Sequence, residues 1–557
     1  MSSSAGPAAP VDGAGPASVT PWRRLDPRMV VVEPVRTLVK LVPVLLVVLL
    51  TGGNGDPVRP WITLGIGVLV VVAGVVRWRT TRYRITAERV ELHSGWLRRQ
   101  RRSVPRDRIR TVDLTASPLH RAFRLSVVAV RAADPGGEHR NGGLTLDAVS
   151  TAEAEILRRE LLDRRVPQPD APAPAPDDPA EPAEELARLH WSWLRFAPLT
   201  FSSLAGVGAI AAAAFNVFNE LGVSPTEVDG VDAAAERLAT APLWLAVGLV
   251  GVGLLVVAVV GSVLLFTERW WGYRLTREAD GTLRVRRGLL TTRSLSVAEE
   301  RLRGVAVHEP LLLRAGGGAQ TRALSTGLGR DAQGGVLQPP APRSEAHRVA
   351  GAALRRAPGP APGPIGAEPA AAGPTGSAPE AGSTDADLTD IVPTGADPTE
   401  ADPTLIPLVP HPPAARRRRY TRALGPVLGL IVVAVLVGWV RPGLAWIWPG
   451  TLVLLPLAAL LAADRFRALG HALTPRYLVS RLGGLSRRTV ALQRSGVIGW
   501  TVRQSPFQRR AGLVTLQAVT AAGEGGYRVL DVGAADAVAL AEAATPGLLP
   551  RRTRETP

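Results

Sequence analysis

Cysteine is absent from this 557-residue chain. Its absence excludes structural disulfides, thiolate metal sites and cysteine nucleophiles, and it leaves the redox compartment open. Lysine is scarce as well, Lys40 being the single one, so arginine carries the positive charge behind the net +17. Aromatic residues make up only 5%. Neither an aromatic-rich single-strand platform nor a zinc-finger spacing is present, so nucleic acid is not an expected partner. The stretch Met1–Thr20 lacks a basic n-region and does not read as a cleaved signal peptide. Insertion is expected to use the first apolar span as an uncleaved anchor.

Catalytic patterns are equally scarce. The histidines are scattered, and none falls in a His-Glu-x-x-His or other metal-ligand spacing. His120 and His308 both lie near a repeated proline, but at different offsets from it. Gly327-Leu328-Gly329 lacks the Walker lysine and a strand–helix setting. There is no Gly-x-Ser-x-Gly elbow. No carboxylate inside an apolar run marks a proton relay. No catalytic residue, metal ligand or cofactor site emerges, so the chain is not expected to be an enzyme.

What is present is a set of long apolar runs. Six segments read as membrane spans: Val35–Thr51, Trp61–Val76, Leu194–Phe218, Ala241–Phe266, Leu424–Val440 and Leu444–Ala463. The first is the weakest, because Arg36 and Lys40 sit in its first turns and Leu41–Leu50 falls short of the ~20 residues a span needs. Val247–Leu265 has only Gly and Ser as polar relief, unlike a soluble amphipathic helix. Arg23, Arg24, Arg28 and Arg36 precede the first span, and Arg77, Arg79, Arg82 and Arg84 follow the second. The loop between the third and fourth is acidic, and Arg416–Arg419 precede the fifth. The positive-inside rule then places both termini in the cytoplasm of a multi-pass protein of the cell membrane.

Each pair of spans is followed by the same pattern. The first copy has Tyr83-Arg84-Ile85-Thr86, then Gly95, then Ser117-Pro118-Leu119-His120-Arg121-Ala122-Phe123. The second has Tyr273-Arg274-Leu275-Thr276, Gly288, and Glu309-Pro310-Leu311-Leu312-Leu313-Arg314-Ala315. The third has His471-Ala472-Leu473-Thr474, Gly484, and Ser505-Pro506-Phe507-Gln508-Arg509-Arg510-Ala511. Glycine to proline is 23, 22 and 22 residues. Short alternating runs with Gly/Pro punctuation suggest antiparallel strands. A capping-box pattern, Ser150-Thr151-Ala152-Glu153, then opens a closing helix. Copies two and three close in helices at Ser344–Arg356 and Ala534–Ala544.

These motifs together resemble the bacterial membrane-flanked PH-like domain family, as three tandem type 2 domains. The resemblance implies an α+β membrane protein. Six transmembrane helices would form three hairpins, each followed by a cytoplasmic PH-like β-sandwich or barrel with a C-terminal helix. The expected order is a disordered basic tail (1–34), hairpin (35–79), domain (80–167) and linker (168–190). A second hairpin (191–267) and domain (268–357) follow, then a disordered acidic linker (358–415), a third hairpin (416–464), a third domain (465–547) and a tail (548–557). In copy two, Gly316-Gly317-Gly318 stands where the other copies have strand-like residues.

The arginines beside each turn glycine are the candidate site: Arg98, Arg99, Arg101 and Arg102; Arg284, Arg286 and Arg287; Arg487 and Arg488. Juxtamembrane arginine attracts anionic lipid by roughly 1 kcal/mol each, and its planar fork binds phosphate. The expected function is a scaffold that binds anionic membrane lipids or partner proteins. Self-association, or pairing with a smaller membrane protein carrying a related domain, would fit. The alternative is a component of lipid or amphiphile transport or of envelope-stress resistance.

Overall fold

In the first two modules a strand that precedes the apolar segments pairs with the first strand that follows them, and in the third a single bridge takes its place. The computed structural model describes residues 21–38, 58–86, 88–95, 99–132, 143–162, 183–200, 240–326, 335–355 and 402–548, with scattered helical residues between 205 and 237. Residues 39–51 of the expected first span lie outside these, as do residues 358–401 of the expected acidic linker, whose end, 402–415, is described.

Module one comprises β1 (Arg23–Arg24), β2 (Arg82–Ile85), β3 (Arg89–Ser94), β4 (Gln100–Pro105), β5 (Ile109–Ala116), β6 (Leu125–Ala132) and β7 (Gly143–Ser150). Its helices are α1 (Val58–Thr80), α2 (Pro118–Ala122) and the closing α3 (Thr151–Leu162). Alternation builds the strands: Tyr83, Val90 and Val104 point into a core shared with Leu125, Val128, Val130 and Leu144, while their neighbours face out. Ser150 accepts a hydrogen bond from the Glu153 N–H at 3.2 Å, so the capping pattern does start α3 there.

Module two comprises β8 (Glu184–Arg188), β9 (Arg274–Arg277), β10 (Thr282–Arg287), β11 (Thr292–Ala298), β12 (Leu302–Pro310), β13 (Gly318–Ser325) and β14 (Ala341–Pro342). Its helices are α4 (Leu243–Trp270), α5 (Leu311–Ala315) and α6 (Arg343–Leu354). Module three has α7 (Pro413–Val440), α8 (Ile447–Leu452) and α9 (Leu454–Arg467), then β15 (Gly470–Leu473), β16 (Tyr477–Leu482), β17 (Ser486–Gln493) and β18 (Gly499–Arg503). It ends with α10 (Pro506–Arg510), β19 (Leu513–Val519), β20 (Gly526–Gly533) and α11 (Ala534–Ala544).

Among the described residues, three helices are long and apolar enough to cross a membrane: Leu243–Trp270, Pro413–Val440 and Pro442–Arg467. Their apolar side chains face outward, Leu254 being 67% exposed and Trp439 83%. Apolar surfaces of this extent on helices of this length suit a lipid environment.

Several sequence boundaries move. Arg23–Arg24 pairs with Arg82–Tyr83, and Leu25, Met29 and Val32 are buried, so the end of the expected disordered tail belongs to module one. Glu184–Arg188 pairs with β9, and Trp193 and Phe196 pack into module two. The expected linker ends earlier, and Leu194–Ala197 sits in a protein core rather than in a span. Val409 bridges His471, and Ile406 and Leu408 pack on the same core. The apolar pairs are therefore insertions within the modules. Proline and short polar stretches hid these strands, which are too brief to show alternation.

In module two, Gly318 opens a full strand, so the triple glycine breaks nothing. In module three the left-handed turn glycine is Gly483, φ +121°, not Gly484; it matches Gly95 at +103° and Gly288 at +110°. A Cβ at Gly483 would lie 1.9 Å from the Ser486 carbonyl oxygen.

The second residue after each proline-led short helix is also left-handed: Arg124 (φ +56°), Gly317 (+73°) and Gly512 (+63°). Its carbonyl accepts the first N–H of the closing helix, from Thr151 (3.0 Å), Arg343 (2.9 Å) and Ala534 (3.2 Å) respectively. No atom lies within 4 Å of a Cβ built at Gly317 or Gly512, so substitution there tests conformation alone. Gly512→Ala is expected to lose about 1 kcal/mol of stability and Arg124→Gly to gain a similar amount. Thermal unfolding of the detergent-solubilised chain measures both.

The modules are joined through their sheets. The strand order β7-β6-β5-β11-β10-β9-β8 runs from module one into module two, and β14-β13-β12-β17-β16-β15 runs from module two into module three. The strand leading into the proline helix pairs with the strand after the glycine turn of the next module. Thr115 faces Arg293 at the first junction, and Val307 faces Thr489 at the second.

Candidate anion site at the foot of the spanning helix

The nine arginines expected to form a site separate on folding. Arg98 lies outside the described residues. Arg99 and Arg101 are exposed, while Arg102 reaches the Gly143 carbonyl at 3.5 Å. Arg284 is held by Glu155 (2.8 Å) and Glu278 (3.1 Å) between modules one and two. Arg286 is exposed. Arg488 pairs with Glu524 at 2.7 Å and covers Tyr527. Arg487 lies between Glu309 (4.0 Å) and Asp464 (3.9 Å). These groups are largely joints between elements. The turn-glycine spacing identified strand positions but could not show which acidic groups fold back on them.

Arg287 is different. It is 9% exposed, and its guanidinium stacks 4.2 Å from the centroid of Trp270. Its Nη1 is buried without a hydrogen-bond partner. Burial, with Arg269 and Arg293 adding repulsion, pulls its pKa down to about 10. It lines a recess at the first junction with Asp113, Arg131, Val285, Arg293, Leu295 and Val336. Burial pushes the Asp113 carboxyl up, against the pull of Arg293, Arg131 and Arg287.

The foot of α4 completes this site. Arg269 is the penultimate residue of that helix, and its Nε is buried without a partner. The glycine turn of module two docks on the same helix end, with Gly288 N–H donating to Trp271 O and Leu289 N–H to Glu268 O, both at 2.9 Å. Leu289 and Leu290, at the tip of that turn, are 37% and 56% exposed. Apolar tips and tryptophans beside a helix long and apolar enough to cross a membrane suit the interfacial layer.

Three arginines, 131, 287 and 293, thus stand around Asp113, and Arg269, with Glu268 beside it, adjoins Arg287 and Arg293. Arg287 Nη1 and Arg269 Nε are buried without hydrogen-bond partners, and a buried polar group left unmatched is costly. A tetrahedral oxyanion offers several acceptors to planar guanidinium forks. Arg131, Arg269, Arg293 and Asp113 were not singled out in the sequence. The available signals were Arg269 preceding the Trp270-Trp271 pair and the carboxylate of Asp113 flanked by Val112 and Leu114 in a strand. Among the described residues no cluster of His, Asp and Glu could hold a metal.

The chain is 22% identical over 331 residues to UPF0699 transmembrane protein YdbT of Bacillus subtilis (strain 168). That match covers 57% of this chain and 65% of the relative. No solved structure matches the chain. A family model described as Bacterial PH domain matches residues 34–165 and 422–543, each region including an apolar pair with the strands beyond it. Module two repeats the element order of these two regions, and the chain is a membrane protein whose first and third modules match the bacterial PH domain model.

Proposed function

We propose that the chain is a non-enzymatic, multi-pass scaffold of the cell membrane that holds phosphate-bearing headgroups at its first module junction. The observation that carries this reading is the buried Arg287 guanidinium at the foot of α4, whose Nη1 has no hydrogen-bond partner, beside the equally unpartnered Nε of Arg269. The exposed Leu289–Leu290 tip supports it, because it sets the recess at headgroup depth. The pairing of pre- and post-insertion strands supports an even number of crossings per insertion, since both ends of each insertion meet in one sheet. With basic residues flanking those ends, the positive-inside rule puts modules and termini in the cytoplasm.

The lack of cysteine makes topology simple to test. Single cysteines at Glu227, Arg286 and Glu524 should leave only Glu227 open to an impermeant thiol reagent in intact cells. Labelling at Arg286 or Glu524 would overturn the orientation.

Headgroup binding is tested on the full chain in nanodiscs. Vesicles containing phosphatidylglycerol should compete for the chain's bound anionic lipid, and phosphatidylcholine vesicles should not. Arg287→Met keeps the packing on Trp270 but removes the charge, and should weaken retention roughly tenfold, equivalent to about 1.4 kcal/mol. Competition by inorganic phosphate alone would indicate a free anion as the ligand. Unchanged retention in Arg287→Met would sink the headgroup reading.

A further inference from the structure

Each module presents two open strand edges on one side of its sandwich, joined by a short 3-10 turn. Module two uses both: β11 takes β5 of module one, and β12 takes β17 of module three. Modules one and three use one each. Among the described residues, β4 and β18 are the edges left over, each at the end of its sheet. They are the two halves of a third junction of the kind the chain already makes twice. Their short helix and turn correspond as well. Arg121 of α2 donates to the Leu289 carbonyl in the next module's turn, and Leu311 N–H of α5 donates to Leu485 O.

The unused edge of module three is apolar for a surface. Ile498 is 63% exposed, Val502 53%, and Phe507 on α10 73%. Phe507 follows its proline as Leu311 does at the second junction, where Leu311 is only 38% exposed. The β12 strand is buried along most of its length, whereas β18 ends in two exposed residues. An open edge of this kind invites pairing unless something covers it.

We propose that chains associate head to tail, β18 of one copy pairing antiparallel with β4 of the next. This goes beyond the headgroup reading and does not depend on it. The occupant is a second copy because continuity with two existing junctions specifies it: each takes the post-turn strand of a following module. Carrying over the register of the first junction by position sets Arg503 opposite Gln100 and Val502 opposite Arg101, so no arginine faces another at either pair. The contact is heterologous, so it continues into a ring or a row instead of stopping at a dimer.

Native membranes carrying the Arg101→Cys/Val502→Cys chain provide the test, since no other cysteine can react. Mild oxidation should give a reducible ladder of dimers and higher species that neither single variant gives. In detergent, the wild type should run as a multimer, and Val502→Asp should fall to the 58.7 kDa single chain. Because Val502 is exposed, the midpoint of unfolding should stay unchanged. A monomeric wild type with no ladder in membranes overturns the proposal. So does a crosslink to a different protein, or a ladder equally strong in either single variant.

Discussion

Asp531→Ala is expected to unfold or nearly unfold module three, losing about 3–5 kcal/mol. The Asp531 side chain is 0% exposed. Arg418 and Arg419, each 14% exposed, both pair with it, Arg419 at 2.5 Å. Gln508 of α10 donates to the same carboxylate at 2.8 Å. One buried charge thus ties the closing sheet and the proline helix to the start of α7. Its removal leaves two arginines facing each other with little water to screen them. Backbone strain adds to this, because Asp531 has φ +58° and alanine there keeps the strain. Asp531→Gly loses the charge but relieves the backbone, so it should be about 1 kcal/mol less damaging than Asp531→Ala. Thermal unfolding of the full chain, followed by limited proteolysis between modules, checks both. Equal stability of Asp531→Ala and wild type would show that the arginines are satisfied elsewhere.

The periodic features were legible in the sequence, and the long-range pairings were not. The strands after each span could be read because Tyr83, Ile85, Val90 and Leu92 alternate with polar residues, as period-two burial requires. Ser150 and Glu153 located the first closing helix for a local reason, a side chain capping its own helix end. In contrast, Arg23–Arg24, Glu184–Arg188 and Val409 become strand or bridge residues only because a partner strand across the membrane insertion receives them. No local pattern in two to five residues carries that information. The arginines near each turn glycine were found by spacing, but their fates depend on carboxylates distant in sequence: Glu155 for Arg284, Glu524 for Arg488. Arg287 escaped pairing because Trp270 covers it, a contact between a span's end and a strand.

Arg158→Ala is expected to cost about 3–5 kcal/mol and to separate the unfolding of module one from that of module two. Arg158 lies on α3 of module one with its side chain 2% exposed. Its two terminal nitrogens grip Glu278 of module two at 2.8 and 3.3 Å, its Nε donates to Glu155 at 3.1 Å, and Nη1 reaches Ser296 at 3.4 Å. Arg284 closes the square on Glu155 and Glu278. Burial pushes the Glu155 carboxyl up, but Arg158 and Arg284 outweigh it and hold the pKa below its ordinary 4.5. A carboxylate depressed in the fold stabilises fully above its unfolded pKa, and that support fades as pH falls through the folded value. The wild type should therefore lose junction stability only below about pH 4.5. The same acid-dependent loss should be smaller in Arg158→Ala, which has already lost one of the two depressing charges. Arg158→Met/Glu278→Gln removes both members of the main pair and fills the space. It should cost less than Arg158→Ala, because no carboxylate of that pair is left buried and unmatched. Differential scanning calorimetry of the full chain from pH 3.5 to 7 resolves the cases. A single unaltered transition in Arg158→Ala would mean that the β5–β11 pairing alone couples the two modules.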